Sequence, residues 1–203
     1  MLSVRDVSLI HLGPVQLQVG AGQSCSISGR SGSGKSLLLR ALADLDPHDG
    51  EIILDGVNQT AVPGPVWRRQ IGYLGPASVF WENTVQQHFA AFDQPLLLAH
   101  LNSLGLDEKI LPRPVNQLSS GEKQRLSLIR LLLDHPKALL LDEPCSHLDP
   151  ETTRQAEALI SDYQQRHHCP ILWVSHDPAQ RKRVASRHYF LAHGQLQVCR
   201  TRA

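Results

Sequence analysis

A chain of 203 residues can bury about 70% of its unfolded surface in one domain, so neither a disulfide framework nor a structural metal is required for stability. Its formal net charge of +1 supplies no global field for a polyanion, which argues against nucleic acid as a partner and leaves only local sites for anions. The four cysteines, Cys25, Cys145, Cys169 and Cys199, stand far apart with no C-x-x-C pair, a usage that fits a reducing compartment.

The first residues, "MLSVRDVSLIHLGPVQ", lack a basic segment followed by an apolar run, and no stretch approaches the roughly 18 apolar residues of a membrane span; a soluble chain able to dock onto a membrane protein is expected. Alternating apolar positions in "LSVRDVSLI" and "VQLQV" predict two short strands, and "SCSIS" predicts a third that enters a glycine-rich loop. "KSLLLRALADL" has helical periodicity, "DPHDGEIILDG" supplies a turn and a strand, and "IGYLG" is a short apolar run before an irregular patch at residues 76–82. Between Asn83 and Gly105 the pattern is mostly helical, broken at "DQP", where Pro95 opens a second helix. "LPRPVNQ" reads as an extended linker into "LSSGEKQRLSLIRLLLDHP", a serine-rich turn and an amphipathic helix that Pro136 ends. "ALLLDEP" and "PILWVSHD" are continuous apolar runs of the kind buried on both faces of a parallel sheet, with a helix over residues 150–166 between them; "RHYFLAHGQLQV" reads as a closing hairpin. The expected organisation is one α/β domain over residues 1–203 with a helical insert near residues 76–125.

"GRSGSGKS" spans Gly29, Arg30, Ser31, Gly32, Ser33, Gly34, Lys35 and Ser36, the pattern G-x-x-x-x-G-K-[ST] between a predicted strand and a predicted helix. Its glycines let several N–H groups face one point, the helix start adds its positive end, Lys35 can reach the β and γ phosphates of a nucleotide, and Ser36 can ligate Mg²⁺. "ALLLDEP" ends a buried strand in Asp142 and Glu143, at the carboxyl edge where open α/β sheets place ligands. Neighbouring strand residues point opposite ways: Asp142 suits the outer shell of Mg²⁺, Glu143 the orientation or deprotonation of an attacking water.

Together these stretches resemble the ATP-binding subunit of an ABC transporter, with a P-loop NTPase core, a mostly parallel sheet, an antiparallel N-terminal β part and a helical subdomain. "GRSGSGKS" matches Walker A, "LSSGE" resembles the signature "LSGGQ", "ALLLDEP" matches Walker B with its catalytic glutamate, "SHLD" resembles the D-loop, and "VSHD" carries the switch histidine at His176. Within the family, "LSSGEKQRLSLIR" and "ILWVSHD" are most similar to small bacterial subunits of metal or iron export. The resemblance implies ATP with Mg²⁺, catalytic roles for Lys35, Glu143 and His176, and a head-to-tail pair with a second copy or another ATP-binding subunit. In that pair, Ser119, Ser120 and Gly121 cap the γ phosphate held by the partner's Walker loop. It further implies a separate integral membrane subunit and a place on the cytoplasmic face of the inner membrane. A soluble ABC ATPase without a membrane partner and a weakly hydrolysing, nucleotide-gated regulatory subunit are the alternatives.

Three positions depart from the family pattern. Pro76 stands where the Q-loop glutamine is expected, which predicts slow hydrolysis. No adenine-stacking aromatic precedes Walker A; either His11 stacks on the base or Ile10 offers an apolar contact. Ser120 replaces the first signature glycine. Phe80 and Trp81 read equally as exposed anchors or core filler. His167, His168 and Cys169 are consecutive and poorly placed to converge on one metal, and Arg181, Lys182 and Arg183 are expected on a solvated helix face.

Overall fold

The structure, a computed structural model, describes residues 1–199. Strands β1 (Leu2–Leu9) and β2 (Leu12–Val19) form a hairpin that continues through β4 (Asp49–Leu54) and β5 (Val57–Asn58) into an antiparallel sheet of order β2-β1-β4-β5. The second sheet contains β3 (Ser24–Ser28), β6 (Ile71–Leu74), β7 (Ala138–Asp142), β8 (Ile171–Val174), β9 (Arg187–Ala192) and β10 (Gln195–Val198) in the order β10-β9-β3-β8-β7-β6. Only β10 pairs antiparallel there; the expected mostly parallel core with an antiparallel N-terminal part is present.

Helix α1 (Lys35–Leu42) follows β3, α2 (Gly64–Gln70) precedes β6, and α3 (Gln94–Ser103) and α4 (Ser120–Leu133) lie between β6 and β7. Helix α5 (Pro150–His167) joins β7 to β8, and α6 (Pro178–Val184) joins β8 to β9. The central strands feed two cores because side chains alternate. Leu139, Leu141, Ile171 and Trp173 pack with α3, α4 and α5, whereas Ala138, Leu140, Leu172 and Val174 pack with α1 and the N-terminal sheet. At about 2 kcal/mol for each fully buried aliphatic side chain, β7 anchors both layers and fixes its own register.

Three stretches differ from the sequence expectation. Ahead of Asp93 the chain forms only a 3-10 turn at Gln86–Phe89 where the sequence predicts a first helix, while the second helix, α3, opens with Pro95 in its first turn as expected, with Asp93 capping it by accepting the Leu96 N–H at 2.8 Å. "LPRPVNQ" is not extended: after a 3-10 turn at Glu108–Ile110, it ends in another at Val115–Gln117, with Pro114 at its N-cap. Helix α2 has no counterpart in the sequence reading; its seven residues "GPVWRRQ" bury only Trp67, whose indole N–H donates to the Leu42 carbonyl at 3.0 Å. So short a segment shows no 3.6-residue period to read.

Candidate functional site

The loop between β3 and α1 depends on two glycines in particular. Gly34 has φ 100° as the residue before α1, a conformation that side-chain-bearing residues rarely adopt. A Cβ on Gly29 would run into the Leu191 carbonyl oxygen from β9 and approach Ser33 Oγ to 2.8 Å. Lys35 is 7% exposed, and its Nζ donates to the carbonyls of Gly29 at 2.9 Å and Arg30 at 3.0 Å. Burial lowers its pKa, while Glu143 and Asp142 act in the opposite direction. An ammonium has three donors, so this one is two-thirds satisfied by its own loop and has one N–H left for a ligand.

The loop, Pro76, Asp142, Glu143, Val174 and His176 line a cavity of 260 Å³. A larger cleft of 900 Å³ opens beside it, sharing Ser36 and Pro76 and running between Arg40, Tyr73, Arg130 and Leu131. The larger cleft holds neither Lys35, Glu143 nor His176, so size does not locate the chemistry.

Asp142, at the end of β7, is 2% exposed and its Oδ2 has no hydrogen-bond partner. Glu143 has φ 53°, a left-handed value uncommon for a residue with a side chain, and its buried Oε1 also lacks a partner. His176 Nε2 stands 3.6 Å from that oxygen, too far for a hydrogen bond. Burial pushes the Glu143 carboxyl above its ordinary value; His176 and Lys35 pull it down, and Asp142 adds to the rise. Two orphaned carboxylate oxygens beside a buried ammonium are costly unless water, an ion or a ligand completes them. Ser36, exposed at the start of α1, adds a hydroxyl, and this all-oxygen donor set fits a hydrated Mg²⁺.

The signature residues lie elsewhere. Ser119 is the N-cap of α4: its Oγ accepts the Glu122 N–H at 3.1 Å, and Glu122 Oε2 accepts the Ser119 N–H at 2.7 Å. Arg113 holds the other Glu122 oxygen at 2.7 Å, and these contacts keep Glu122 below its ordinary pKa against the effect of burial. The capping box occupies the Ser119 hydroxyl and leaves the N–H groups of Ser120 and Gly121, in the first turn, without a partner inside the helix. A Cβ on Gly121 would lie 3.1 Å from the His147 carbonyl, which places this turn against the segment after Glu143. Ser119, Ser120 and Gly121 do not line the cavity that holds Lys35.

Gln124 escaped the sequence reading. It is buried in α4, donates to the Glu143 carbonyl at 3.0 Å and to Ser146 Oγ at 3.3 Å, and accepts the His147 N–H at 2.9 Å. The available signal was a polar residue on the stripe that continues through Leu128 and Leu132, four residues apart.

Of the remaining candidates, His11 has φ 67° in the turn between β1 and β2, Ile10 is exposed, and neither lines the cavity. Trp81 is 68% exposed, whereas Phe80 packs partly against the core, so each takes one of the two readings. His168 is the left-handed C-cap of α5, Cys169 is buried with its thiol pushed up to about 12, and the described residues hold no cluster of three metal-ligating side chains. The basic run on α6 is not simply solvated. Arg183 forms a two-point ion pair with Glu157 at 2.8 and 2.9 Å, and Arg181 donates to the Ser175 carbonyl at 2.9 Å.

Comparison with known proteins gives a family. The ABC transporter family matches residues 12–146. The chain is 33% identical over 175 residues to the probable iron export ATP-binding protein FetA of Escherichia coli, covering 82% of this chain and 78% of FetA. It is 33% identical over 211 residues to the thiamine import ATP-binding protein ThiQ of the same species, covering 97% and 90%. The chain spans 55% of the length of the protein STAR1 of Oryza sativa subsp. japonica, to which it is 35% identical over 191 residues, against 90% of ThiQ. A bacterial ABC transporter cassette solved as a dimer superposes with a TM-score of 0.84 at 24% identity, covering all of both chains, which establishes the shared fold. No helix among the described residues is long and apolar enough to cross a membrane.

Proposed function

The chain belongs to the ABC transporter family, as an ATP-binding nucleotide-hydrolysing domain, and from that premise we propose that it works as one half of a head-to-tail dimer driving a separate integral membrane subunit. The observation that carries the pairing is a mismatch within one chain. The cavity with Lys35, Asp142 and Glu143 has unsatisfied polar atoms and no signature residue, while the start of α4 presents free N–H groups and no phosphate loop. Each half supplies what the other lacks.

In this reading Gly29 to Ser36 cradle the triphosphate, Lys35 turns from the Gly29 and Arg30 carbonyls toward the β and γ phosphates, and Ser119 to Gly121 of the partner copy close the far side. Ser36 and Asp142 would hold Mg²⁺, whose charge would offset that of the phosphates. Glu143 orients and deprotonates water, and its left-handed backbone aims the carboxylate into the cavity beside His176. Residues 1–203 act as a single ATPase domain whose segment near 76–125 meets the membrane subunit on the cytoplasmic face. With proline rather than glutamine at 76, turnover is slow. Equal identity to an iron-export and a thiamine-import subunit supports leaving cargo choice to the membrane partner.

The test uses Glu143→Gln saturated with MgATP. We expect the mass in solution to double and an integral membrane protein to co-purify stoichiometrically with the tagged chain from native membranes. A monomer that stays monomeric in both settings overturns the reading; a dimer without any membrane partner moves it to the soluble ABC ATPases.

A further inference from the structure

The segment that follows β6 is held by α4 rather than by its own hydrogen bonds. The guanidinium of Arg130 lies 5.0 Å from the ring centroid of Phe80 and 4.6 Å from that of Trp81, and its Nη2 donates to the Val79 carbonyl at 2.8 Å. His88 stands nearly perpendicular to both rings, at 5.0 and 4.7 Å, and its Nε2 accepts the Glu82 N–H at 3.0 Å. A neutral imidazole that accepts at Nε2 carries its proton on Nδ1, so the 3.3 Å approach of Arg130 Nη1 to Nδ1 is packing rather than a hydrogen bond. Burial lowers the pKa of Arg130, and Asp134 opposes this; the charge is retained inside an aromatic clasp closed at four successive residues, 79 to 82.

Three residues before Val79, Pro76 lines the cavity that holds Lys35 and Glu143. Ten and nine residues before Arg130 on the same helix, Ser120 and Gly121 present their N–H groups. A rigid helix and a short tether with a fixed proline thus connect the two half-sites of one chain, and the fixing point between them is the clasp. We propose that Arg130 is a positioning residue that transmits nucleotide occupancy at Pro76 to the α4 N-terminus through Phe80 and Trp81. The inference rests on the dimer reading above.

Trp81 reports on it directly, because Trp67 and Trp173, the other two tryptophans, are each 1% exposed and shielded from collisional quenchers. In the isolated wild-type chain, MgATP should change acrylamide quenching of Trp81. In Arg130→Lys, which keeps a charge but loses the planar face, that change should disappear and kcat for ATP should fall at least fivefold with KM within twofold. Trp81→Leu should reproduce the kcat loss and Trp81→Phe, which keeps an aromatic face, should restore it to within twofold of wild type. Because Trp81 is exposed, its variants keep the test open if Arg130→Lys fails to fold. The proposal is overturned if both Arg130→Lys and Trp81→Leu keep wild-type kcat, if KM rises in place of a fall in kcat, or if Trp81 ignores MgATP in a wild type that binds a fluorescent nucleotide. A clasp that served only docking would leave the isolated chain unchanged and counts as refutation. A wild type that binds no nucleotide removes the dimer reading first and the proposal with it.

Discussion

Lys35→Met separates ligand binding from fold stability, because the structure gives the two effects opposite signs. In the free chain the ammonium is 7% exposed, its pKa is lowered by burial, and it is held by two carbonyls. Methionine, unbranched and one heavy atom shorter, removes the desolvation penalty and leaves the Gly29 and Arg30 carbonyls to water, so the melting temperature without nucleotide should stay within a few degrees of wild type. With MgATP the balance reverses. A unit charge pair at ~4 Å is worth roughly 4 kcal/mol at an effective dielectric near 20, and after desolvation a charge-assisted hydrogen bond retains about 2–3 kcal/mol, or about 30- to 150-fold in affinity. At a nucleotide concentration about 100 times the wild-type Kd, binding stabilises the fold by ~2.7 kcal/mol, which is about 5–11 °C for a domain of this size. A hundredfold weaker variant keeps only ~0.4 kcal/mol of that, about 1–2 °C. Differential scanning fluorimetry with and without MgATP measures both numbers. A full nucleotide-induced shift in Lys35→Met would refute the assignment of Lys35, and a large fall in the nucleotide-free melting temperature would refute the claim that the buried ammonium is a local burden.

Glu143→Gln carries a pH-dependent sign. A carboxyl raised by burial contributes stability that is fully present below its unfolded pKa and lost as pH rises through the folded value, so the variant should melt at or above wild type at pH 7.5. The difference should close toward pH 4.5, and thermal melts across that range would expose an opposite trend. Pro76→Gln should raise steady-state hydrolysis by restoring an amide at the cavity wall; an unchanged or lower rate in a coupled phosphate-release assay counts against a coupling defect at this position. Ser120→Gly should leave the Ser119–Glu122 capping box intact and cost only tenths of a kcal/mol to about 1 kcal/mol in melting stability. If the serine crowds the incoming phosphate, the same change should strengthen MgATP-dependent dimerisation, read by analytical ultracentrifugation.

The parts legible in the sequence are those set by short-range patterns. The apolar runs of β7 and β8 announced strands buried on both faces, and Lys35, Asp142, Glu143 and His176 converge on one cavity because each starts a helix, ends a strand or follows one within two residues at the same edge of the parallel sheet. Residues whose work depends on partners distant in sequence stayed hidden. Gln124 reaches Glu143, Ser146 and His147 across 19 to 23 positions, and Arg130 reaches Val79 across 51. The apolar stripe through Leu128 and Leu132 marks Gln124 as buried but does not name its partners, and nothing local sets Arg130 apart from an ordinary polar helix residue. The helix opened by Pro95 is present as expected, but residues 83–92 and 111–117 differ from expectation for a related reason: single contacts, such as the Thr84–Pro114 bridge, shape them more than any apolar period does.

Gln124 also bears on how one polypeptide can register an event at its partner. Its amide is fully used: both hydrogen-bonding ends are tied to the stretch from Glu143 to His147, while its backbone belongs to α4, whose N-terminus in the proposed dimer meets the other copy's phosphate. Any shift of α4 toward an incoming γ phosphate therefore pulls on the Glu143 carbonyl, and Glu143 sits at φ 53°, where the backbone has little room to absorb it. Breaking the link instead would strand a buried amide and a buried carbonyl, at roughly 1–3 kcal/mol for each unsatisfied group. That cost favours keeping the link, so in the proposed dimer closure of one half-site would act on the Glu143 backbone of the copy that supplies α4.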